Sequence, residues 1–436
     1  MMPNEIYGLL GIVGLAVLLI LRVPVALAIG MVGFVGIAAL SGVNTAFYMA
    51  SSEAFATVTQ YELVVIPLFV LMGNIASASG LSRDLYDAAF AWIGRLRGGL
   101  ASATVIGCAG FSALSGSSIA SAVTMGRVAL PQMKRFSYSD ALATGSVAAG
   151  GTLGILIPPS TGFIIYATLT EQSIGRLFMA GILPGILLTA LFVVAIYIVT
   201  SIRPADGPAG EPFTLRESIR AGLRASLIGG IIVITIGGIY LGFFTPAEAA
   251  GIGAILTLFV SFFRGRLSLA QWKDVLMQTV RTTSMVFLIL VGANIFAPFL
   301  ALSDLPHFIS QGLTALDVGP YGVLFLILAA YIILGTFLEG LSLLVITLPI
   351  VFPAIIAAGF DPIWFGVIAV IVLEMGLISP PVGLNVFVVA SIADKVPLST
   401  VFRGVIPFWI AMAVCTVLLI LFPSIALYIP QTMMGN

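Results

Sequence analysis

The sequence predicts an all-α, polytopic membrane protein made of two halves, each of which crosses the bilayer five times. Of its 436 residues, 60% are hydrophobic and 8% are charged, whereas roughly a quarter of a soluble domain is charged. Apolar runs such as Ile186 to Thr200, Leu227 to Phe243 and Val405 to Phe422 have about the length that a bilayer core requires. The formal net charge of zero argues against a nucleic-acid partner, and membrane lipid is the expected surrounding.

An internal repeat is the second observation behind this prediction. When the sequence is shifted against itself by about 222 residues, a series of distinctive residues comes into register. The matching pairs are Pro24 with Pro246, Asn74 with Asn294, Asp84 with Asp304, Gly116 with Gly340, Pro131 with Pro353, and Pro158-Pro159 with Pro380-Pro381. Because the offset stays constant through both halves, it indicates a duplication rather than shared composition.

The distribution of charge is the third observation. If the N-terminus lies outside, every Lys and Arg except Arg176 falls on the inside face, which is the bias expected of cytoplasmic loops. The acids expected outside are Glu53, Glu171, Asp304, Asp317 and Asp361. Since five is an odd number of crossings, the two halves must run in opposite directions through the bilayer. The duplication is therefore predicted to be an inverted repeat, an arrangement common in secondary transporters.

Each half is predicted to contain scaffold helices, a re-entrant helical hairpin, a broken helix and a final helix. In the first repeat, residues 1–202, these lie at about 5–80, 101–130, 139–168 and 177–201. In the second repeat, residues 225–436, they lie at about 225–302, 322–353, 363–393 and 404–428. A cytoplasmic linker, 203–224, joins the repeats. Two amphipathic segments, Leu81 to Leu96 and Leu267 to Thr283, are predicted to lie flat at the membrane interface.

The hairpins and broken helices are interrupted by residues that disfavour helix. The hairpin tips read SALSGSS (112–118) and GTFLEGLS (335–342), and the broken helices contain GTLGILIPPSTGFIIYA and GLISPPVGLNVFVVA. Proline removes a backbone donor and glycine allows the chain to turn, while lipid cannot satisfy the freed groups, so such backbone must be buried or line a wet cavity. Unwound carbonyls suit Na⁺ and helix N-termini suit an anion. This combination predicts a sodium-coupled anion symporter.

Polar side chains at the tips and breaks support this prediction. They are Ser112, Ser115, Ser117, Ser118, Ser160 and Thr161 in the first half, and Thr336, Ser342, Ser379 and Asn385 in the second. At single positions, small residues can instead serve close helix packing. Glu339 is a candidate for cation binding or tip closure, and Glu374 is either functional or a structural hydrogen-bonding residue. A carboxyl group in the bilayer costs at least about 2.5 kcal/mol, so each should have a partner.

Four stretches carry a resemblance to a known family. GFSALSGSSIASAVTMGRVALPQM, GTLGILIPPSTGFIIYA, EGLSLLVITLPIVFP and EMGLISPPVGLNVFV resemble, in this order, the large membrane subunit of TRAP transporters, the tripartite ATP-independent periplasmic systems. The resemblance implies an elevator-type transporter fold of the ion transporter superfamily and sodium-coupled uptake of an organic acid. It also implies two partners, a small four-helix TRAP membrane subunit and a periplasmic substrate-binding protein. The implied location is the bacterial cell inner membrane, with both termini periplasmic.

The resemblance also implies individual site residues. The first sodium site would use Ser115, Gly116 and Ser117 with carbonyls near Gly150 and Thr152. The second would use Gly335, Thr336, Met375, Pro380 and Gly383, to which the acid at the tip adds Glu339. Substrate would lie between the tips near Pro159, Ser160 and Asn385, with the hydroxyl groups of Ser118 and Thr161 beside them.

Alternative functions make different demands on the sequence. A stand-alone sodium/anion symporter of the same superfamily would need no partner subunits, and an ion channel would conduct without saturable uptake. An enzyme is not expected, because the sole histidine, His307, is predicted to be a surface residue and there is no Asp pair in the apolar segments. Cys108 and Cys415 imply neither a disulfide framework nor a transition-metal site, and no P-loop motif is present. Sodium, as coupling ion, is the one expected inorganic ligand.

Overall fold

A computed structural model describes residues 3–210, 213–265, 267–315 and 318–433. The described residues form twenty α-helices joined by short connections and two single 3₁₀ turns. The protein is therefore all-helical, as predicted. Asp317, one of the acids predicted to lie outside, and Arg266 among the predicted inside residues are not within the described part of the chain.

The first half contains ten helices. They are α1 (Asn4–Ile20), α2 (Val25–Ser41), α3 (Val43–Thr59), α4 (Val65–Ala78), α5 (Leu81–Ile93), α6 (Gly99–Ser115), α7 (Ser118–Arg135), α8 (Asp140–Leu156), α9 (Thr161–Thr170) and α10 (Ile174–Ile202). The predicted hairpin 101–130 thus consists of α6 and α7, which meet at Gly116 and Ser117. The predicted broken helix consists of α8 and α9, which are separated by Ile157 to Ser160.

The second half repeats this order from Leu215 onward. Its helices are α11 (Leu215–Tyr240), α12 (Pro246–Phe263), α13 (Leu269–Leu302), α14 (Leu305–Ala315), α15 (Gly319–Gly335), α16 (Gly340–Ala357), α17 (Pro362–Leu377), α18 (Leu384–Ile392), α19 (Leu398–Leu421) and α20 (Ser424–Thr432). The predicted second hairpin consists of α15 and α16. The second broken helix consists of α17 and α18, which are separated by Ile378 to Gly383.

Helix starts follow from side chains that cap the free backbone N–H groups. Ser139 caps α8, Ser160 caps α9, and Asp361 caps α17 while Pro362 occupies the first helical position. A side-chain oxygen at this position accepts one of the donors that the first turn leaves unpaired, and proline has no donor to lose there. Short polar segments between apolar runs therefore define where each helix begins.

The predicted linker is shorter than expected. Helix α11 begins at Leu215, ten residues before the predicted end of the 203–224 linker. The reason is a capping box, in which Thr214 accepts from the N–H of Glu217 while the Glu217 carboxylate accepts from the N–H of Thr214. This reciprocal pair starts a helix in polar sequence. The Glu217 carboxylate has its pKa lowered by the hydrogen bonds from Thr214, as expected for an acid that caps in its ionised form.

The amphipathic segment Leu267 to Thr283 does not form a separate interfacial helix. It belongs to α13, which runs without a break for 34 residues. In the first half the equivalent chain is divided into α3 and α4 by a 3₁₀ turn at Tyr61–Val64. Pro67 accounts for the difference, because it cannot donate to the carbonyl of Leu63 and so stops a continuous helix. The equivalent stretch of α13 has no proline before Pro298.

Eight helices of the described chain are long and apolar enough to cross a membrane, counting α8 with α9 as one. Helices α1 and α2, at 17 residues each, are shorter apolar helices. Large hydrophobic side chains on the outer helices are exposed, including Leu9, Val13 and Val233, as expected of a surface that faces lipid. The protein is therefore a polytopic membrane protein, while the number and direction of its crossings stay predictions.

The helices pack as two groups. The scaffold group comprises α1 to α4 and α11 to α13, in which α2 packs along α13 and α4 packs along α12. The hairpin group comprises α6 to α10 and α15 to α19, with α8 buried at its centre between α6, α7 and α19. Helix α5 contacts both α11 and α6, and α14 contacts both α1 and α16. These two helices therefore lie between the groups, one in each half.

Candidate functional site

The first hairpin tip is closed by its own side chains. Gly116 has a φ of +60°, and its left-handed conformation ends α6. Ser117 then caps α7 by accepting from the N–H of Ala120. Ser115 and Ser121 share a hydrogen bond of 2.8 Å between their hydroxyl oxygens. Three residues of the predicted first sodium site, Ser115 to Ser117, therefore lie within one tight turn.

The second tip is built in the same way with an acid as its cap. Glu339 caps α16, and its carboxylate accepts from the N–H of Ser342 at 3.1 Å and from its hydroxyl at 3.2 Å. Ser117 and Glu339 are 222 residues apart, so the repeat places a hydroxyl cap in one half and a carboxylate cap in the other. The prediction that Glu339 has a partner is confirmed, and its partner is the helix N-terminus.

Each tip is hydrogen-bonded to the break in the neighbouring helix. The N–H of Thr161 donates to the carbonyl of Gly116 at 3.3 Å, and the N–H of Gly383 donates to the carbonyl of Thr336 at 3.2 Å. Both donors are the residues that follow the Pro-Pro pair, 222 residues apart. The same backbone contact therefore joins tip and break in both halves, which brings Gly116 to Thr161 and Thr336 to Gly383.

The breaks free specific carbonyl groups. Pro158 and Pro159 cannot donate to the carbonyls of Gly154 and Ile155, which a continuous helix would pair with them. The carbonyl of Ile155 accepts instead from the Ser160 hydroxyl. In the second half the carbonyl of Met375 accepts from the Ser379 hydroxyl at 2.6 Å. The peptide bond within each Pro-Pro pair is cis.

Glycine permits the close packing of tip and broken helix. A Cβ on Gly154 would lie 2.7 Å from the backbone nitrogen of Ser118, and one on Gly376 would lie 2.7 Å from the Cα of Gly335. Contacts this short do not occur for real Cβ atoms, so both positions need glycine. These residues are again 222 apart, and Gly335 of the predicted second sodium site is thereby held against α17.

Two predicted site residues do not lie at a break. Gly150 and Thr152 are inside α8, which continues to Leu156, and the hydroxyl of Thr152 donates to the carbonyl of Ala149 within that helix. The break comes after them because the prolines stand at 158 and 159. The backbone carbonyls that the prolines release are those of Gly154 and Ile155, so sequence reasoning placed the carbonyl ligands about one turn too early.

The hydroxyl groups assigned to substrate already donate their protons within the protein. Ser118 donates to a carboxylate oxygen of Glu374, Ser160 to the carbonyl of Ile155, and Thr161 to the carbonyl of Gly116 at 2.8 Å. A hydroxyl has one proton, so each of these oxygens presents only lone pairs to a ligand. Lone pairs suit a cation better than a carboxylate. The backbone of Pro159 lies beside them, against Gly116.

Asn385 differs from the other predicted substrate residues. Its side chain is fully buried in α18, and neither its amide nitrogen nor its amide oxygen has a hydrogen-bond partner among the described residues. Buried amide groups are almost always paired, since leaving one unpaired costs about 1–3 kcal/mol. Such a group at a helix break is the mark of a ligand contact.

Glu374 is the residue that sequence reasoning left open. It lies on α17, is 1% exposed, and accepts a hydrogen bond of 2.6 Å from Ser118. Ser118 is the first residue of α7, next to the first tip. The prediction that Glu374 has a partner is confirmed, but its location beside the tip of the opposite repeat could be found only from the structure, because the two residues are 256 positions apart.

Two surface cavities flank this central region without including its predicted site residues. A cavity of about 410 Å³ lies between α7, α8 and the end of α18 and contains Arg127, Lys134 and Tyr138, whose pKa burial raises to about 12. A cavity of about 710 Å³ contains Glu53, Glu171 and Asp304 beside His307, which is exposed as predicted. The two cavities therefore have opposite charge, in line with the predicted inside and outside faces.

Comparison with known proteins gives a family and a fold. A family model described as "Tripartite ATP-independent periplasmic transporter, DctM component" matches residues 12–425. The chain is 39% identical to the C4-dicarboxylate TRAP transporter large permease protein DctM of Pseudomonas aeruginosa over 87% of its own length and 88% of that protein. It is 31% identical to the sialic acid TRAP transporter large permease protein SiaM of Vibrio cholerae over 100% and 99% of the two chains. The crystal structure of the Alcanivorax borkumensis YdaH transporter superposes with a TM-score of 0.62 at 16% identity, covering 88% of this chain and 89% of that one.

Proposed function

Because the chain belongs to the DctM family of large membrane subunits of tripartite ATP-independent periplasmic (TRAP) transporters, we propose that it is the permease subunit of a sodium-coupled secondary transporter. Its substrate would be an organic acid, taken up across a bacterial inner membrane. Relatives named for C4-dicarboxylate and for sialic acid support this substrate class. The relatives are transport proteins, which fits a protein that is not an enzyme.

The observation that carries this proposal is the docking of each hairpin tip on a helix break. In both halves a backbone N–H after the prolines donates to a tip carbonyl, and around the first tip three hydroxyl groups direct their lone pairs away from the protons they donate. Clustered carbonyl and hydroxyl oxygens are hard ligands that suit Na⁺. The unpartnered amide of Asn385 supports an adjacent contact with the carboxylate of the substrate.

We further propose that the molecule is an inverted repeat and works as an elevator. The reciprocal tip contacts, equal helix order and pairwise packing of α2 with α13 and α12 with α4 support the repeat. The division into a scaffold group and a hairpin group, bridged by α5 and α14, supports movement of one group against the other. Both termini would then be periplasmic, with the acidic cavity on the periplasmic face.

The energetics of sodium coupling are sufficient without nucleotide hydrolysis. At about 100 mV, each sodium ion that enters the cell supplies about 2.3 kcal/mol from the membrane potential. Two sodium ions that accompany a monoanion move one net charge inward, so the potential contributes about 2.3 kcal/mol and the sodium gradient supplies more. The coupling ion is therefore cargo as well as driving force.

A small four-helix membrane subunit and a periplasmic substrate-binding protein would complete the system, as the description of the family as tripartite indicates. The test is uptake into proteoliposomes that contain this chain and the small subunit, with the binding protein and labelled organic acids outside. We expect accumulation with an inward sodium gradient and its loss when choline replaces sodium. Accumulation without sodium and without the binding protein would instead indicate a stand-alone carrier driven in another way.

A further inference from the structure

The buried carboxyl group of Glu374 connects the two halves at the candidate site. It lies on α17 directly before Met375, and it accepts a hydrogen bond from Ser118 at the start of α7. One oxygen, Oε1, makes this contact at 2.6 Å. The other oxygen, Oε2, is buried and has no hydrogen-bond partner among the described residues. The group therefore has one hydrogen bond where a carboxylate ion normally receives several.

The surroundings of Glu374 provide no positive charge. Helices packed on α17, together with α7, carry the basic residues Arg127, Lys134, Arg135, Arg176 and Arg403 in the described chain, and all five are exposed at helix ends. Other titratable groups on these helices are Asp140, Tyr166, Tyr331, Asp361, Cys415 and Tyr428, with Glu339 at the N-terminus of α16. Glu339 is the one whose charge acts on Glu374, and it is of the same sign.

An ionised Glu374 is therefore hard to maintain in this arrangement. Burying a charge costs several kcal/mol unless it is paired and hydrogen-bonded, and a second carboxylate nearby adds repulsion. Glu339 keeps its own negative charge more easily, because it accepts two hydrogen bonds at a helix N-terminus. A proton on Oε2 removes the charge from Glu374 and leaves Oε1 free to accept from Ser118.

We propose that Glu374 is a proton-binding site of the transporter, in addition to its sodium and substrate sites. The proton is held while Ser118 and Glu374 are hydrogen-bonded, and it is released when the first tip moves away and water reaches the carboxyl group. Because Ser118 adjoins the first tip and Glu374 adjoins the second break, the proton senses both. The protonation state of Glu374 does not depend on the proposed sodium coupling.

Infrared spectroscopy of the complex with the small subunit in lipid nanodiscs tests the protonation directly. A protonated carboxyl group has a carbonyl band that a carboxylate lacks. We expect wild-type protein to show this band at neutral pH, Glu374→Gln to lose it, and Glu339→Gln, the matched variant at the second buried acid, to keep it. Ser118→Ala should move the band, because Oε1 loses its donor. Loss of the band in Glu339→Gln with retention in Glu374→Gln would overturn the proposal.

Transport of the proton is tested in proteoliposomes at a fixed sodium gradient. An acidic exterior should accelerate wild-type uptake, and Glu374→Gln should lose this response. Glutamine can still accept from Ser118, and size-exclusion profiles report whether the variant folds. If the band persists unchanged from pH 5 to pH 9 and uptake ignores the pH gradient, Glu374 is a fixed neutral hydrogen-bonding residue and the proposal is wrong. Failure of sodium dependence alone would leave the infrared result intact, so the two proposals fail separately.

Discussion

The side-chain amide of Asn74 on α4 donates a hydrogen bond of 3.0 Å to the hydroxyl of Thr279 on α13. Asn294 on α13 donates in the same way to Thr57 on α3, at 2.8 Å. Asn74 and Asn294 match in the internal repeat, and so do Thr57 and Thr279. Each threonine in turn donates to the carbonyl four residues before it. A contact that is exchanged reciprocally in this way is what two-fold symmetry between the halves requires.

These two hydrogen bonds should contribute equally to stability. We expect Asn74→Ala and Asn294→Ala each to destabilise the protein by about 1 kcal/mol, as measured by thermal unfolding in detergent. A double-mutant cycle of Asn74→Ala with Thr279→Val should give a coupling of about 0.6 kcal/mol, the usual value for hydrogen bonds between membrane helices. Ser51→Ala serves as control, because the Ser51 hydroxyl bonds only within its own exposed helix. A coupling of zero in one half alone would contradict the equivalence.

Much of this architecture could be predicted from the sequence, because it depends on residues whose effect is local. Proline pairs stop helices wherever they stand, so the separation of α8 from α9 and of α17 from α18 follows from Pro158 and Pro380. The continuous α13 was missed because polarity alone suggested an interfacial segment, whereas helix continuity depends on the absence of a breaker.

The internal arrangement of the site could be predicted less well, because it depends on contacts distant in sequence. The bond between Ser118 and Glu374 joins the two halves, and no local pattern announces it. Hydroxyl direction is similar, since the sequence shows that Ser160 and Thr161 are present but not that their protons go to Ile155 and Gly116. The unpaired state of Asn385 likewise becomes visible only when all its neighbours are in place.

Ser115 and Gly383 are expected to control the response to sodium. Ser115→Ala removes one hydroxyl oxygen from the first tip and breaks its contact with Ser121. Gly383 has a φ of +62°, and a Cβ there would lie 3.0 Å from the carbonyl oxygen of Ser379, so Gly383→Leu should displace the second break. We expect each variant to raise the sodium concentration for half-maximal uptake at least tenfold. Ser226→Ala, an exposed serine on α11, should leave it unchanged, and a wild-type sodium response in both site variants would refute their assignment.

Asn385→Leu should separate a ligand contact from a structural one. A buried amide with paired atoms would destabilise the protein when replaced, because its partners would lose their hydrogen bonds. Asn385 has no such partner among the described residues, so we expect leucine to leave the melting temperature unchanged or to raise it. Uptake of the organic acid should fall at least tenfold, since a lost polar contact to a substrate is worth about 1.4 kcal/mol or more. A lower melting temperature with normal uptake would show that Asn385 is structural.

The ion pair between Asp84 on α5 and Arg264 after α12 should anchor the bridging helix to the scaffold group. The side chains of Asp84 and Arg264 are 8% and 20% exposed, and Arg264 also donates to the carbonyl of Arg224. Asp84→Asn leaves a largely buried guanidinium without its counter-charge and should cost about 3 kcal/mol. The double variant Asp84→Asn with Arg264→Met should be less destabilised than the single one.

The matched control for that pair is an exposed ion pair elsewhere. Lys134 and Asp394 are 3.7 Å apart, with side chains 71% and 76% exposed. Lys134→Met should change stability by less than about 1 kcal/mol, because water and salt screen exposed pairs. Chemical unfolding at low and high salt measures both effects. Equal costs for the two pairs would show that burial does not strengthen the Asp84 contact.

Cysteine labelling in intact cells tests the opposite orientation of the two hairpins. Arg135 at the end of α7 and Ala357 at the end of α16 are 222 residues apart and both exposed, so they mark equivalent positions at the open ends of the hairpins. We expect a membrane-impermeant maleimide to label Ala357→Cys in intact cells and Arg135→Cys only after the membrane is permeabilised. The native Cys108 and Cys415 are fully buried, so the unmodified protein should give little background. Labelling of both introduced cysteines from outside would place the hairpins on one face, and an odd number of crossings per half would then be untenable.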